Sequence, residues 1–198
     1  MQTLDPICEG IRAAFAAKNS ARDQALARSR ELIRHCSQAI RTVHRREWDE
    51  ADERLTTVRE AADELRAVCA DYPDLYNSGY TQDALKEFVE AFATAAIIRE
   101  QPLPTPDSLG VEGATYLNGL AEAATELRRF ILDILRRPDG DSAEAERLLD
   151  WMDAIYDQLV TFDFPDAITG DLRRRTDVVR SVLERTRGDM TTTVQQQR

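Results

Sequence analysis

The stretch YLNGLAEAATELRRFILDIL, residues 116–135, decides the fold. Leu117, Leu120, Ala124, Leu127, Ile131 and Ile134 recur in steps of three and four. That is the period of a helix with one apolar stripe, not the alternation of a half-buried strand. Asn118, Glu122, Glu126, Arg129 and Asp133 fall on the opposite side. In a monomer such a polar stripe is expected to face water and to be laced with ion pairs. Spacing leaves a second reading open, in which the stripe lines a cavity inside an oligomer and holds a metal or nucleic acid.

Working outward, helical patterns recur at about 4–17, 20–46, 48–70, 81–100, 107–137, 141–163 and 169–188. Glycine and proline gather at the joints: Gly10, Tyr72-Pro73, Asn77-Ser78-Gly79, the Pro102–Pro106 run, Pro138-Asp139-Gly140 and Pro165. Asp141-Ser142-Ala143-Glu144 reads as the start of a helix. No segment alternates as a strand should. The expected fold is all-α: a single domain over residues 1–198, built as a bundle of about seven helices. Residues 1–18 form its N-terminal helix and 190–198 a frayed tail.

Composition bounds the function classes. Apolar residues at 42% and charged residues at 31% describe a globular chain, not a disordered one. No apolar run approaches the roughly 20 residues that span a bilayer, and the N-terminus lacks the pattern of a signal peptide. Cys8, Cys36 and Cys69 are odd in number and widely spaced, unlike a disulfide framework or a zinc site. A reducing cytoplasm is the expected location. A formal net charge of −10 should repel nucleic acid on average, so any nucleic-acid role needs a local basic surface or metal ions.

Carboxylates are the main candidates for chemistry. Glu87 and Glu90, in KEFVEAFATAAII, share a helix face where the helix becomes apolar all round. Glu122 and Glu126 form a second pair. Two such helices side by side would set three or four carboxylates around a hard divalent cation; alternatively both pairs face water. Arg30, Arg34, Arg41 and Arg45 project within about 60° of one another on an ideal helix, with His44 close by. They either contact phosphates or pair with the acidic run Asp49, Glu50, Asp52 and Glu53. Arg173-Arg174-Arg175 is a second basic run, for phosphates or for oligomer contacts. His35 and His44 are the two histidines, and no Glu-x-x-His pair, Ser-His-Asp set or Gly-rich phosphate loop is present. No histidine is expected near Glu87, Glu90 and Glu122.

The segment from Tyr116 to Leu127, YLNGLAEAATEL, resembles the YLxGxxDxxxEL segment of the translin/Trax family. LLDWMDAIYDQLVTFDFPDAITGDLRRRTDVVRSVLERTRGD resembles that family's closing helices, and Glu87–Ala91 is similar to the EYVEA segment of its Trax branch. The resemblance covers about residues 20–188. It implies a translin-like helical domain assembled as a hollow homo-octamer, of the archaeal homo-oligomeric type. It also implies a Mg²⁺- or Mn²⁺-dependent endoribonuclease acting on single-stranded RNA, and possible binding of single-stranded DNA. Glu87, Glu90 and Glu122 carry over as the metal-binding, catalytic acids, and Glu126 as a supporting one. Glu122 stands where the Trax pattern usually has aspartate, and the basic segment of translin proper is replaced by Asn77–Asp83. Two other functions stay open: a non-catalytic single-stranded nucleic-acid-binding oligomer of translin type, and a plain helical assembly module.

Overall fold

The computed structural model describes residues 4–137, 140 and 142–196, with side chains as far as residue 192. Among them are nine helical elements and no strand: α1 (Leu4–Arg45), α2 (Trp48–Cys69), α3 (Pro73–Tyr76), α4 (Gly79–Ile98), α5 (Pro106–Leu109), α6 (Gly113–Leu135), α7 (Ser142–Leu159), α8 (Asp166–Thr169) and α9 (Leu172–Gln196). Six are long, and three are single turns inside the expected joints. Pro73 and Pro106 start two of those turns, because a proline in the first turn forfeits only a backbone donor that has no partner there.

Four expected boundaries change. The first two helices are one helix of 42 residues, with Gly10 inside it. Asn19 and Ser20 are modest helix formers but neither breaks a helix. The expected helix 107–137 divides at Gly110, whose φ of 62° caps α5 in the left-handed region. Gly170, at φ 60°, divides α8 from α9 in the same way. The C-terminal segment expected to fray continues as helix to Gln196, with Met190 buried beneath it. Pro138, Asp139 and Asp141, read above as a turn and a helix start, lie outside the described residues, as do 1–3, 197 and 198.

The centre of the bundle follows from α4. Residues 91–98, AFATAAII, are apolar on nearly every side, and a helix of that kind must be enclosed. It is enclosed: α1 and α6 pack along it, with α2 and α7 making smaller contacts. Every residue from Ala93 to Ile98 is buried. α6 in turn packs against α7 and α9. Its buried face is not the leucine stripe alone. Leu127, Ile131 and Ile134 are buried, but Leu117 and Leu120 are only partly covered, while Asn118, Gly119 and Ala123 on the supposedly wet side are buried. Gly119 is the reason. Its missing Cβ lets the α4 backbone come so close that a Cβ would lie 2.5 Å from Val89 Cβ and 2.8 Å from the Lys86 carbonyl oxygen. Glu122 of the polar stripe therefore lies against α4, Asn118 donates to the Thr169 carbonyl of α8, and only the far end of the stripe, at Arg129 and Asp133, reaches solvent.

Candidate metal centre

The close crossing of α4 and α6 at Gly119 brings the two glutamate pairs together. One carboxylate oxygen from each of Glu87, Glu90 and Glu122 lies within 4.8 Å of the others. None sits on an open face: the Glu87 and Glu122 side chains are 27% and 22% exposed, and Glu90 is 9% exposed. The solvated-face reading of both pairs is thereby replaced by a half-buried cluster. The longer Glu122, in place of aspartate, reaches it.

The cations around the cluster are distributed unevenly. Lys86 Nζ meets Glu122 Oε1 at 2.8 Å and Glu87 Oε1 at 3.4 Å. Arg175 Nη1 donates to the same Glu122 oxygen from α9. Glu90 is different, because it has no ion-pair partner among the described residues and stands beside the negative charges of Glu87, Glu122 and Glu126. Burial first, and then these carboxylates, push its carboxyl up to about 9. Glu87 is also raised, by burial and then by Glu122, with Lys86 pulling it back. Burial and then Glu87 and Glu90 raise the Cys36 thiol, a core group of α1 facing the same cluster.

Glu126 is held apart from the three. His44 Nε2, from the end of α1, bonds its Oε1, and Arg129 Nη1 approaches that oxygen at 3.7 Å. The imidazole is 5% exposed and stacks on Phe130 at 3.7 Å between ring centres and 12° between planes. This contact of His44 with the supporting acid Glu126 was not anticipated from the sequence. His44 and Glu126 are 82 residues apart in sequence, so no local spacing could announce their contact. Arg175 is a similar case: from a run read as phosphate- or oligomer-binding, it turns inward, while Arg174 pairs with Asp171 at the surface.

The basic stripe divides. Arg41 and Arg45 line a hollow with His44, and Arg30 and Arg34 do not. Among the described residues no ion pair joins the stripe to the acidic run: Arg34 meets Glu31 at 3.6 Å and Arg45 meets Glu47 at 2.8 Å, while Glu50 and Asp52 hold Arg54 and Arg99.

A carboxyl whose folded value is raised contributes stability that is complete below its unfolded value, near 4.5, and is lost as pH rises through about 9. Metal-free protein should therefore lose thermal stability between pH 6 and 9 relative to Glu90→Gln. Melting curves of both proteins in EDTA at several pH values check this. A gap between them that narrows as pH rises would contradict it.

No protein-family model matches the chain. An uncharacterized protein of Methanocaldococcus jannaschii is 33% identical over 183 residues, which are 91% of this chain and 80% of that protein. Two structures of AfC3PO, one of them a duplex RNA complex, share 34% identity with it. Their TM-scores are 0.86 and 0.85, over 94% of this chain and 95% and 96% of theirs.

The chain belongs to the translin/Trax family.

Within that family its likeness is to the C3PO proteins. Apo-NeC3PO has the same fold, with a TM-score of 0.85 over 95% of this chain and 97% of its own, at 21% identity. The family's all-helical fold accounts for the nine elements described above. No helix among the described residues is long and apolar enough to cross a membrane.

Proposed function

We propose that this translin/Trax-family protein is an RNA-binding homo-oligomer whose Glu87, Glu90 and Glu122 hold Mg²⁺ or Mn²⁺ and cleave single-stranded RNA. The observation that carries this reading is Glu90: a buried carboxyl group within 4.8 Å of two others, with no ion-pair partner among the described residues. Burying an uncompensated carboxylate is costly, and an all-oxygen donor set suits a hard divalent cation. When bound, such an ion supplies an activated water and neutralises charge developing on phosphate oxygens.

The chain's own groups prepare the cluster. Lys86 and Arg175 fix the Glu122 carboxylate between α4 and α9. His44 fixes Glu126 beside it, with the ring held flat by Phe130. Because AfC3PO has been solved with duplex RNA, RNA is the class of polymer to test. Exposed apolar side chains support assembly: Leu4, Ile7, Ile11 and Phe15 form a stripe on the first turns of α1, and Phe162, Phe164 and Ile168 cluster around α8. Assembly into an octameric shell and a cytoplasmic location complete the proposal.

A 5′-labelled single-stranded RNA incubated with the protein should be cut internally with Mg²⁺ or Mn²⁺, and left intact with EDTA. One observation favours a second reading, a binding oligomer without catalysis: Lys86 and Arg175 already neutralise Glu122 with no ion. Retained RNA binding with no cleavage in either metal would establish that alternative and remove the first.

A further inference from the structure

On a chain of formal net charge −10, one hollow is strongly positive. Arg41 and Arg45, from the last turns of α1, face Arg129 of α6 and Arg136 and Arg137 just past its end. Together they line a concavity of about 670 Å³ in which Asp133 is the single acid. Helix C-termini favour basic side chains, which accounts for Arg45, Arg136 and Arg137 taken one at a time. It does not account for Arg41 and Arg129, which lie a turn or more inside their helices. Nor does it explain why two helix ends present their cations to one space, where like charges repel unless an anion joins them.

The ion pairs leave this charge partly uncompensated. Arg45 has Glu47 at 2.8 Å, Arg136 has Asp133 at 3.5 Å and Arg129 has Glu126 at 3.7 Å. Arg41 and Arg137 are exposed and have no ion-pair partner among the described residues. The hollow also adjoins the carboxylate cluster. His44 lines it and bonds Glu126, whose charge acts on Glu90. Guanidinium groups are planar forks that match phosphate oxygens. Several of them beside a carboxylate cluster suit a polymer with an anion at every repeat, more than a single small anion.

The geometry points to a backbone subsite: the hollow of Arg41, Arg45, Arg129, Arg136 and Arg137 takes phosphodiesters of a nucleic-acid strand adjacent to the one held at Glu87, Glu90 and Glu122. This rests on the cleavage reading above for what happens at the neighbouring phosphate. The strand's binding needs no cleavage, so the two are separable.

The test is fluorescence anisotropy of a labelled oligouridine of about 20 nucleotides, in EDTA, with KCl varied between about 50 and 200 mM. Arg41→Ala/Arg137→Ala removes two exposed cations of the hollow, and far-UV circular dichroism confirms its fold. It should bind at least about 10-fold more weakly, and the slope of log affinity against log salt should shrink by about 0.7 per arginine removed. Arg30→Ala/Arg34→Ala removes the same charge elsewhere on α1 and should stay within about twofold of wild type. Wild-type affinity in the first variant, or an equal loss in the second, would overturn the subsite. The Mn²⁺-induced rise in Tm, measured without RNA, should be the same in wild type and Arg41→Ala/Arg137→Ala. A wild type with no such rise would remove the cleavage reading, while the anisotropy comparison would still decide the hollow.

Discussion

Replacing Glu90 with glutamine should abolish metal-dependent RNA cleavage, raise stability in EDTA and remove the stabilisation by Mn²⁺. A group that only supports a metal ligand is worth about 10–100-fold in affinity or activity, so loss of a ligand should lower cleavage by at least about 100-fold. The stability effect is more diagnostic, because EDTA and Mn²⁺ act differently on the two proteins. In EDTA at pH 8 the wild-type cluster crowds three carboxyl groups, and Glu90, held near 9 by burial and its acidic neighbours, must take up a proton that the unfolded chain does not carry. Glutamine has the same shape without the charge. It avoids that proton uptake, and for a chain of this size each kcal/mol gained moves Tm by about 2–4 °C. The variant should therefore melt several degrees higher than wild type. Mn²⁺ at 100 times its Kd stabilises the protein that binds it by about 2.7 kcal/mol. It should raise the wild type and leave Glu90→Gln almost unmoved. Differential scanning fluorimetry with EDTA and with Mn²⁺ reads both arms. A variant that melts below wild type in EDTA and still responds to Mn²⁺ would assign Glu90 to packing instead.

Gly119→Ala should be the most damaging single-methyl change in α6. Adding the Cβ brings it to 2.5 Å from Val89 Cβ, 2.6 Å from Val89 Cγ1 and 2.8 Å from the Lys86 carbonyl oxygen. A flexible side chain can swing away from such a contact, but a backbone carbonyl cannot. α4 must therefore shift as a body, carrying Lys86, Glu87 and Glu90 with it. Overpacking of this kind costs about 1–3 kcal/mol, a Tm fall of about 2–12 °C at the same 2–4 °C per kcal/mol. The Mn²⁺ response should shrink as well, because the carboxylates no longer converge. Gly188→Ala is the control. It lies in α9 with no atom within 4 Å of its added Cβ, and should be neutral or stabilise by about 0.5–1 kcal/mol through the usual helix preference for alanine. Equal effects of the two substitutions would show that α4 and α6 do not meet so closely at Gly119.

Helix content was legible from periodicity, and the centrality of α4 from its all-round apolar run. What periodicity could not give was the face that α6 turns inward. Leu117 and Leu120 outweigh Gly119 on any hydrophobic scale, yet the glycine marks the buried contact, because close approach depends on a missing side chain. The small residues Ala121, Ala123 and Ala124 around it were the available signal, since small side chains admit a neighbouring helix. The merged α1 escaped for the opposite reason: Asn19 and Ser20 weaken a helix without breaking it, and tertiary packing overrode that preference.

The candidate site divides along similar lines. Local spacing gave the two glutamate pairs, the translin/Trax resemblance singled out Glu87, Glu90 and Glu122, and the structure brings these three together. Lys86 was overlooked as a flanking cation, although it adjoins Glu87. His44 and Arg175 reach the glutamates from α1 and α9 across 82 and 53 residues. Contacts that distant depend on how helices cross, and no single-chain pattern records them. Arg41 and Arg45 were found by their angular spacing, but Arg129, Arg136 and Arg137, which complete their hollow, lie on another helix.

The central claim is that Glu87, Glu90 and Glu122 form a divalent-metal site, and a crystal soaked in MnCl₂ tests it most directly by anomalous scattering. The expected result is a manganese peak bonded to one oxygen from each of the three carboxylates. Metal–oxygen distances near those of hard divalent cations, about 2.1 Å, should accompany it. A map in which these carboxylates keep only Lys86 and Arg175 as partners, with no manganese among them at saturating concentration, would contradict the claim.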